Sequence, residues 1–179
     1  MKQLRPFTLI LIFILLFSAS GYSQKKKTPF SISVEQNTFL SYTGLNVSML
    51  LVGNYKKHSL GVGINTSIQN SYFPYQRTNG VIVDYRYHFL SNEKIEGFVS
   101  LNYNNKNYSP IGRNVSQENK VHEYVYSNGF VARLYKGLWV GNSIGFGGYT
   151  ERYYDNSELT FKTNMGFNYR LNAIIKYDF

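Results

Sequence analysis

Three histidines, ten acidic residues and no cysteine bound the chemistry that this 179-residue chain can carry. Without a thiol there is no disulfide, no zinc–thiolate cluster, no cysteine nucleophile and no lipid attached through an N-terminal cysteine. His122, with Glu123 beside it and Ser127 five residues on, is where serine, histidine and acid come closest at one rim of the strand pattern described below. A Ser–His–acid relay needs hydrogen-bond contact between its members. In an extended strand successive side chains point to opposite faces, so His122 faces away from both Glu123 and Ser127. His58 and His88 belong to the opposite rim. No two histidines share a face at ligand spacing, and the acidic residues are scattered, so no metal set emerges. The glycines of Gly145 to Gly148 are followed by no helix and no Lys-Ser/Thr, which excludes a phosphate loop and leaves them to make room in a narrow interior. No catalytic, cofactor-binding or metal-ligating residues are assigned.

The elements that position these residues begin with an address. Lys2 and Arg5 precede an apolar run from Phe7 to Phe17, followed by the small residues of Ser18 to Gln24. A basic start, a short apolar core and a small-residue exit define a secretory signal peptide over residues 1–23, cleaved near Gly21 to Ser23. The run is too short for a transmembrane helix, which needs about 20 apolar residues. Removing Lys2 and Arg5 leaves 17 basic residues against 10 acidic ones. Residues 24–29, with Lys25 to Lys27, form a solvated basic tail.

From Phe30 onward the apolar residues alternate. The successive sets are Phe30/Ile32/Val34, Leu45/Val47/Met49/Leu51, Leu60/Val62/Ile64/Ile68 and Val81/Val83/Tyr85/Tyr87/Phe89. They continue with Gly97/Val99/Leu101/Tyr103, a less regular stretch from Tyr124 to Leu134, Leu138/Val140/Ile144/Phe146, and Phe167 to Phe179. A period of two argues for strands with one apolar and one polar face. The class is all-β, with eight strands. The apolar phase carries no charge, whereas the other holds Glu35, Asp84, Arg86, Glu96, Glu123, Arg133, Arg170, Lys176 and Asp178. A cation facing lipid near mid-bilayer costs about 2–4 kcal/mol, so this segregation fits a membrane barrel with its apolar face outward. It fits equally a lipocalin-like barrel that turns its apolar face inward around a ligand.

Three further features separate the two. Tight links near Lys56-Lys57, Ser91 to Lys94 and Tyr135 to Gly137 alternate with longer ones at Asn70 to Asn79 and Asn104 to Val121, although the first link, Tyr42 to Gly44, is short. Aromatics (Tyr55, Tyr72, Phe73, Tyr75, Tyr87, Phe89, Tyr103, Tyr108, Tyr124, Tyr126, Tyr149, Tyr153, Tyr154, Tyr177) collect near strand ends, as at a membrane–water interface. The chain closes with Leu171, Ala173, Ile175, Tyr177 and Phe179 on one face. That ending resembles the assembly signal of bacterial outer-membrane barrels, and residues 30–179 as a whole resemble the small outer-membrane β-barrel proteins of the OmpA/OmpX transmembrane type. No motif identifies a named subfamily.

The resemblance implies an eight-stranded antiparallel up-and-down transmembrane β-barrel in the cell outer membrane, after signal-peptide cleavage. Its assembly signal would be Leu171, Ile175, Tyr177 and Phe179, read by the barrel-assembly machinery. Eight strands enclose a lumen that side chains can just fill, so Glu35, Asp84, Arg86, Glu96, Arg133 and Arg170 are expected to form a paired lumen charge network, which makes a polar plug rather than a diffusion pore. The loop cations Arg77, Lys106, Arg113, Lys120 and Arg152 would meet lipopolysaccharide phosphates and outer-membrane lipids. The last hairpin would turn at Asp155-Asn156 or Asn156-Ser157 and project beyond the membrane. The function expected is non-enzymatic, a structural or surface-interaction role with an extracellular or surface protein as a possible partner, and no nucleic acid. The alternatives are a lipid A-modifying barrel enzyme and a secreted lipocalin-like barrel binding an apolar ligand. Deleting Phe179 is expected to leave most of the protein outside the membrane fraction, and unchanged insertion would contradict the assembly signal.

Overall fold

The computed structural model describes residues 30–70, 77–109, 119–155 and 158–179. The signal segment, the basic tail, Arg113 and the aromatics Tyr72, Phe73 and Tyr75 lie outside them. The strands are β1 (Phe30–Ser41), β2 (Gly44–Tyr55), β3 (His58–Asn70), β4 (Arg77–Ser91), β5 (Ile95–Ser109), β6 (Asn119–Tyr135), β7 (Leu138–Asp155) and β8 (Thr160–Asp178). Each pairs antiparallel with its sequence neighbours, and β1 closes the ring on β8 from Ser33↔Asp178 to Ser41↔Arg170. The result is a closed eight-stranded barrel.

Alternation decides which face is which. Leu60, Val62, Ile64 and Ile68 on β3, Val81 on β4, Leu101 on β5 and Ile144 and Phe146 on β7 are all at least half exposed on the outer wall. The opposite phase, with Ser33, Glu35, Asn46, Ser48, Asn65, Asp84, Arg86 and Glu123, is buried inside. The apolar face therefore points outward, the inverse of a lipocalin. Tyr103 and Tyr124 (ring centroids 5.3 Å apart), Tyr126 and Phe146 (5.8 Å apart) and Tyr169 form one outer aromatic row. Tyr55, Tyr87, Phe89 and Tyr135 form the other. On β6, which carries both rows, Tyr126 to Tyr135 spans ten residues, within the roughly 9–11 needed to cross a hydrocarbon core at a tilt near 45°. Tyr149 leaves this pattern, because it points inward and stacks on Tyr42 at 3.8 Å.

The two ends differ. At the turn end, Lys56-Lys57 and Lys136-Gly137 are two-residue connections in which Lys56 and Gly137 take left-handed conformations (φ 55° and 74°). Asn92 shapes the third turn by accepting hydrogen bonds from the backbone N–H of Lys94 (2.9 Å) and Ile95 (2.8 Å). At the other end the strands lengthen around the ring, from 12 residues in β1 to 19 in β8. The barrel wall is therefore low at β1–β2 and tall at β7–β8.

Several sequence expectations need correction. The link expected from Asn104 to Val121 is strand at both of its ends, since β5 runs to Ser109 and β6 starts at Asn119, with 110–118 outside the described residues. In the last hairpin the ladder continues to Asp155↔Thr160, so four residues rather than two connect the strands, with 156–157 outside the described residues. The odd sum of partner numbers expected for that hairpin holds along the whole ladder. The interior is also less polar than expected. Phe98, Val131, Trp139 and Ile174 make one buried apolar cluster, and Leu50, Val52 and Ile82 a second.

Glycine creates the space for these contents. A Cβ on Gly129 would lie 2.5 Å from Phe98 Cζ and 2.6 Å from Ser143 Cβ, and one on Gly145 would run into Ser127 Oγ. Gly129→Leu is expected to destabilise the barrel by about 1–3 kcal/mol through overpacking. Denaturant unfolding followed by the fluorescence of Trp139, the single tryptophan, checks this, and an unchanged midpoint would show that the lumen has room to spare.

Candidate functional site: the ion-paired lumen

Inward-facing charges group into three tiers along the barrel axis, each built across strands far apart in sequence. Toward the loop end, Glu123 on β6 is fully buried and is the hub. Its Oε1 accepts from Lys106 Nζ on β5 (2.9 Å), and its Oε2 accepts from Asn104 Nδ2 (2.9 Å) and from the Arg170 guanidinium on β8 (3.2 Å). Lys106 Nζ also donates to Thr43 Oγ1 (2.8 Å). The short Tyr42–Thr43 turn, which departs from the alternation of loop lengths, therefore brings Thr43 to Lys106 at the loop end, where Thr43 is fully buried.

In the middle tier, Arg86 on β4 forks onto Glu35 of β1, with one guanidinium N–H donating to Glu35 Oε2 at 2.6 Å and a second engaging Oε1. Its Nε donates to Asp84 Oδ2 at 2.7 Å. A planar fork facing a carboxylate is the strong geometry for a buried pair. At the turn end, Lys176 Nζ of β8 donates to Glu96 Oε2 of β5 at 2.9 Å, and His88 Nδ1 stands 3.8 Å from the same oxygen.

An aromatic ring sits in each tier against the cations. Lys106 and Arg170 lie 5.4 and 4.3 Å from the Phe39 centroid, Arg86 lies 4.7 Å from Phe98, and Lys176 lies 5.3 Å from Trp139. Rings and cations so placed attract one another more strongly once water is excluded. Four cations (Arg86, Lys106, Arg170, Lys176) pair with four carboxylates (Glu35, Asp84, Glu96, Glu123), and Lys176 Nζ also stands 3.4 Å from Asp178 Oδ1.

Of the six charges expected to pair, five do, though in three separate groups rather than one network. Glu35, Asp84 and Arg86 meet, Arg170 meets Glu123, and Glu96 meets Lys176. Arg133 does not join them, because it is exposed at the turn end with its guanidinium 4.6 Å over Trp139. Lys106, expected in a surface loop, is instead fully buried in the lumen. Sequence reasoning missed Glu123 and Lys176 as network members, although their inward phase was legible. Of the chain's other loop cations, Lys120 and Arg152 are on the outer wall.

The histidines do not form a relay at the loop end. His122 faces outward with Nδ1 2.8 Å from Tyr103 OH, while Glu123 and Ser127 face inward. Sequence reasoning also missed that Ser59 Oγ lies 2.7 Å from His88 Nε2, which brings a serine, a histidine and an acid into line at the turn end. The Ser59 hydroxyl also donates to Asn54 Oδ1 at 2.7 Å. Glu96 is held by Lys176 rather than by the imidazole. Among the described residues no group of His, Asp or Glu could hold a metal ion.

No family model and no curated protein matches the sequence. Solved structures do match. The N-terminal β-barrel domain of Pseudomonas aeruginosa OprF superposes with a TM-score of 0.57 at 10% identity, covering 83% of this chain and 97% of that one. Neisserial surface protein A gives 0.53 at 11% identity, covering 87% of this chain and all of that one. The fold is that of the small outer-membrane barrels. The outer membrane protease OmpT from Escherichia coli overlaps over 89% of this chain at a TM-score of 0.36, too loosely to argue from. At such identities the likeness is one of backbone.

Removing one partner of a buried pair leaves the others uncompensated, at a cost of about 3–5 kcal/mol. Glu123→Gln, which strands Lys106 and Arg170, is expected to destabilise by that order. Combining it with Lys106→Met is expected to restore part of the loss, because Arg170 stays without its carboxylate. Additive losses in this double-mutant cycle would mean that Glu123 and Lys106 are not coupled.

Proposed function

We propose that the chain is an integral outer-membrane barrel that catalyses no reaction and conducts no steady current, with a structural or surface-interaction role carried by its tall outer wall. The observation that carries this reading is the pairing of an uncharged apolar outer belt between two aromatic rows with an interior filled by mutually neutralising charges. Such an object gains by entering a bilayer, where every ladder hydrogen bond is satisfied around a closed ring. Its lumen offers solutes no open path, since apolar clusters, three ion-paired tiers and the Thr43 turn occupy it.

The proposed orientation has the tight turns in the periplasm and the long connections outside. Trypsin treatment of intact cells tests it. Cleavage at Arg113 or Lys120 with protection of Lys56, Lys57, Lys94 and Lys136 is the expected pattern, and the reverse pattern contradicts the orientation. In planar bilayers the purified protein is expected to show no persistent conductance. A stable open channel in the unmodified protein would overturn the plug.

A further inference from the structure

The outer wall changes character in ordered steps above the upper aromatic row. On β5 and β6, Tyr103 faces Tyr124 in direct register; four residues further up each strand, Asn107 faces Lys120. Lys120 in turn faces Arg152 of β7, and Arg152 faces Thr163 of β8. All four of these residues are exposed. Two cations thus stand side by side on adjacent strands, their Cβ atoms about 4.5–5.5 Å apart, a juxtaposition that destabilises a sheet when nothing neutralises it. The nearest carboxylates on these strands cannot do so from the same face, because Glu123 and Glu151 have the inward phase. Arg152 is held to the outer wall by Phe161, its guanidinium 4.4 Å from the ring centroid.

The height of the pair selects its ligand. Aromatic belts sit at headgroup level. Four residues of strand above them add about 13 Å along the chain, or about 9 Å of rise at a tilt near 45°. From that height the long Lys120 side chain can reach down the wall to the plane of lipid phosphates, whereas the Arg152 guanidinium lies over Phe161, two positions nearer the hairpin tip than Thr163, and must swing off that ring to join it. We infer that Lys120 and Arg152 form a binding site for the phosphate of a lipid headgroup on the outer wall, with Asn107 and Thr163 as flanking hydrogen-bond donors. The inference rests on the outer-membrane reading and deepens it: of the cations first expected at lipid phosphates, Lys106 is excluded by burial, and these two are brought together by register.

The test uses the mature chain reconstituted in phosphatidylcholine nanodiscs doped with phosphatidic acid, with the measured quantity being the preference for phosphatidic acid over phosphatidylcholine at the protein surface. Neutralising either cation, by Lys120→Gln or Arg152→Gln, is expected to lower that preference about fivefold, and both together about twenty-five-fold. The charge-conserving pair Lys120→Arg and Arg152→Lys is expected to retain it. Lys57→Gln with Lys94→Gln, which removes two cations from the opposite end, is expected to leave it unchanged. Inorganic phosphate is expected not to displace the lipid; displacement would assign the site to free anions instead. Equal preference in the double Gln variant and the unmodified chain, both inserted in discs, overturns the site alone. Failure of the unmodified chain to enter discs overturns the membrane reading together with it.

Discussion

The interior of this barrel depends on Glu123. A fully buried carboxylate is tolerable only when its charge is matched and its lone pairs are occupied. Glu123 meets both conditions by drawing Lys106 and Arg170 from the strands β5 and β8, Asn104 from β5, and, through Lys106, the Thr43 turn. These partners come from three separate parts of the ring. The carboxylate therefore ties the β1–β2 turn to the tall β5–β8 wall at the loop end of the lumen. The middle and turn-end tiers repeat the device with Glu35 and Glu96 as acceptors.

Inside and outside obey opposite rules for one reason. Each strand has two faces, and closure of the ring sends one to a small enclosed volume and the other to whatever surrounds the barrel. Eight strands leave a lumen that side chains can fill, so the enclosed face may carry charge provided that it carries both signs. The outer belt has no such option, because nothing covers it except solvent or lipid. That accounts for the pairing of opposite signs in the interior set and for the absence of charge from the belt between Tyr103, Tyr124 and their counterparts at the other rim.

The phase of every strand was legible in the sequence, since Leu60 to Ile68 or Val81 to Phe89 alternate without a break. The partners were not. Arg86 meets Glu35 across 51 positions, a contact set by how far the strands slip past one another when the ring closes, and alternation carries no information on that slip. Lys106 was misplaced for a different reason. Above the aromatic row the outward positions are Asn105 and Asn107, polar because they stand clear of the apolar belt, so β5 loses its visible period while its ladder with β6 continues. Arg133 shows a third limit: it has the inward phase, but it lies at the open end, where phase no longer means burial and a ring face rather than a carboxylate receives it. The anomalous short first link was visible in the sequence, but its tie to Lys106 and Glu123 needed the contacts of Thr43.

The central claim is that the apolar phase faces lipid while the other phase fills a closed lumen. A chain without cysteine allows single cysteines to be placed in turn from Leu60 to Ser67 on β3, spin-labelled, and reconstituted in bilayers. Oxygen, which concentrates in the hydrocarbon, is expected to relax labels at Leu60, Val62, Ile64 and Thr66 and to spare those at Gly61, Gly63, Asn65 and Ser67. A period of two in the opposite phase, or labels relaxed by a water-soluble agent at every position, would contradict the account.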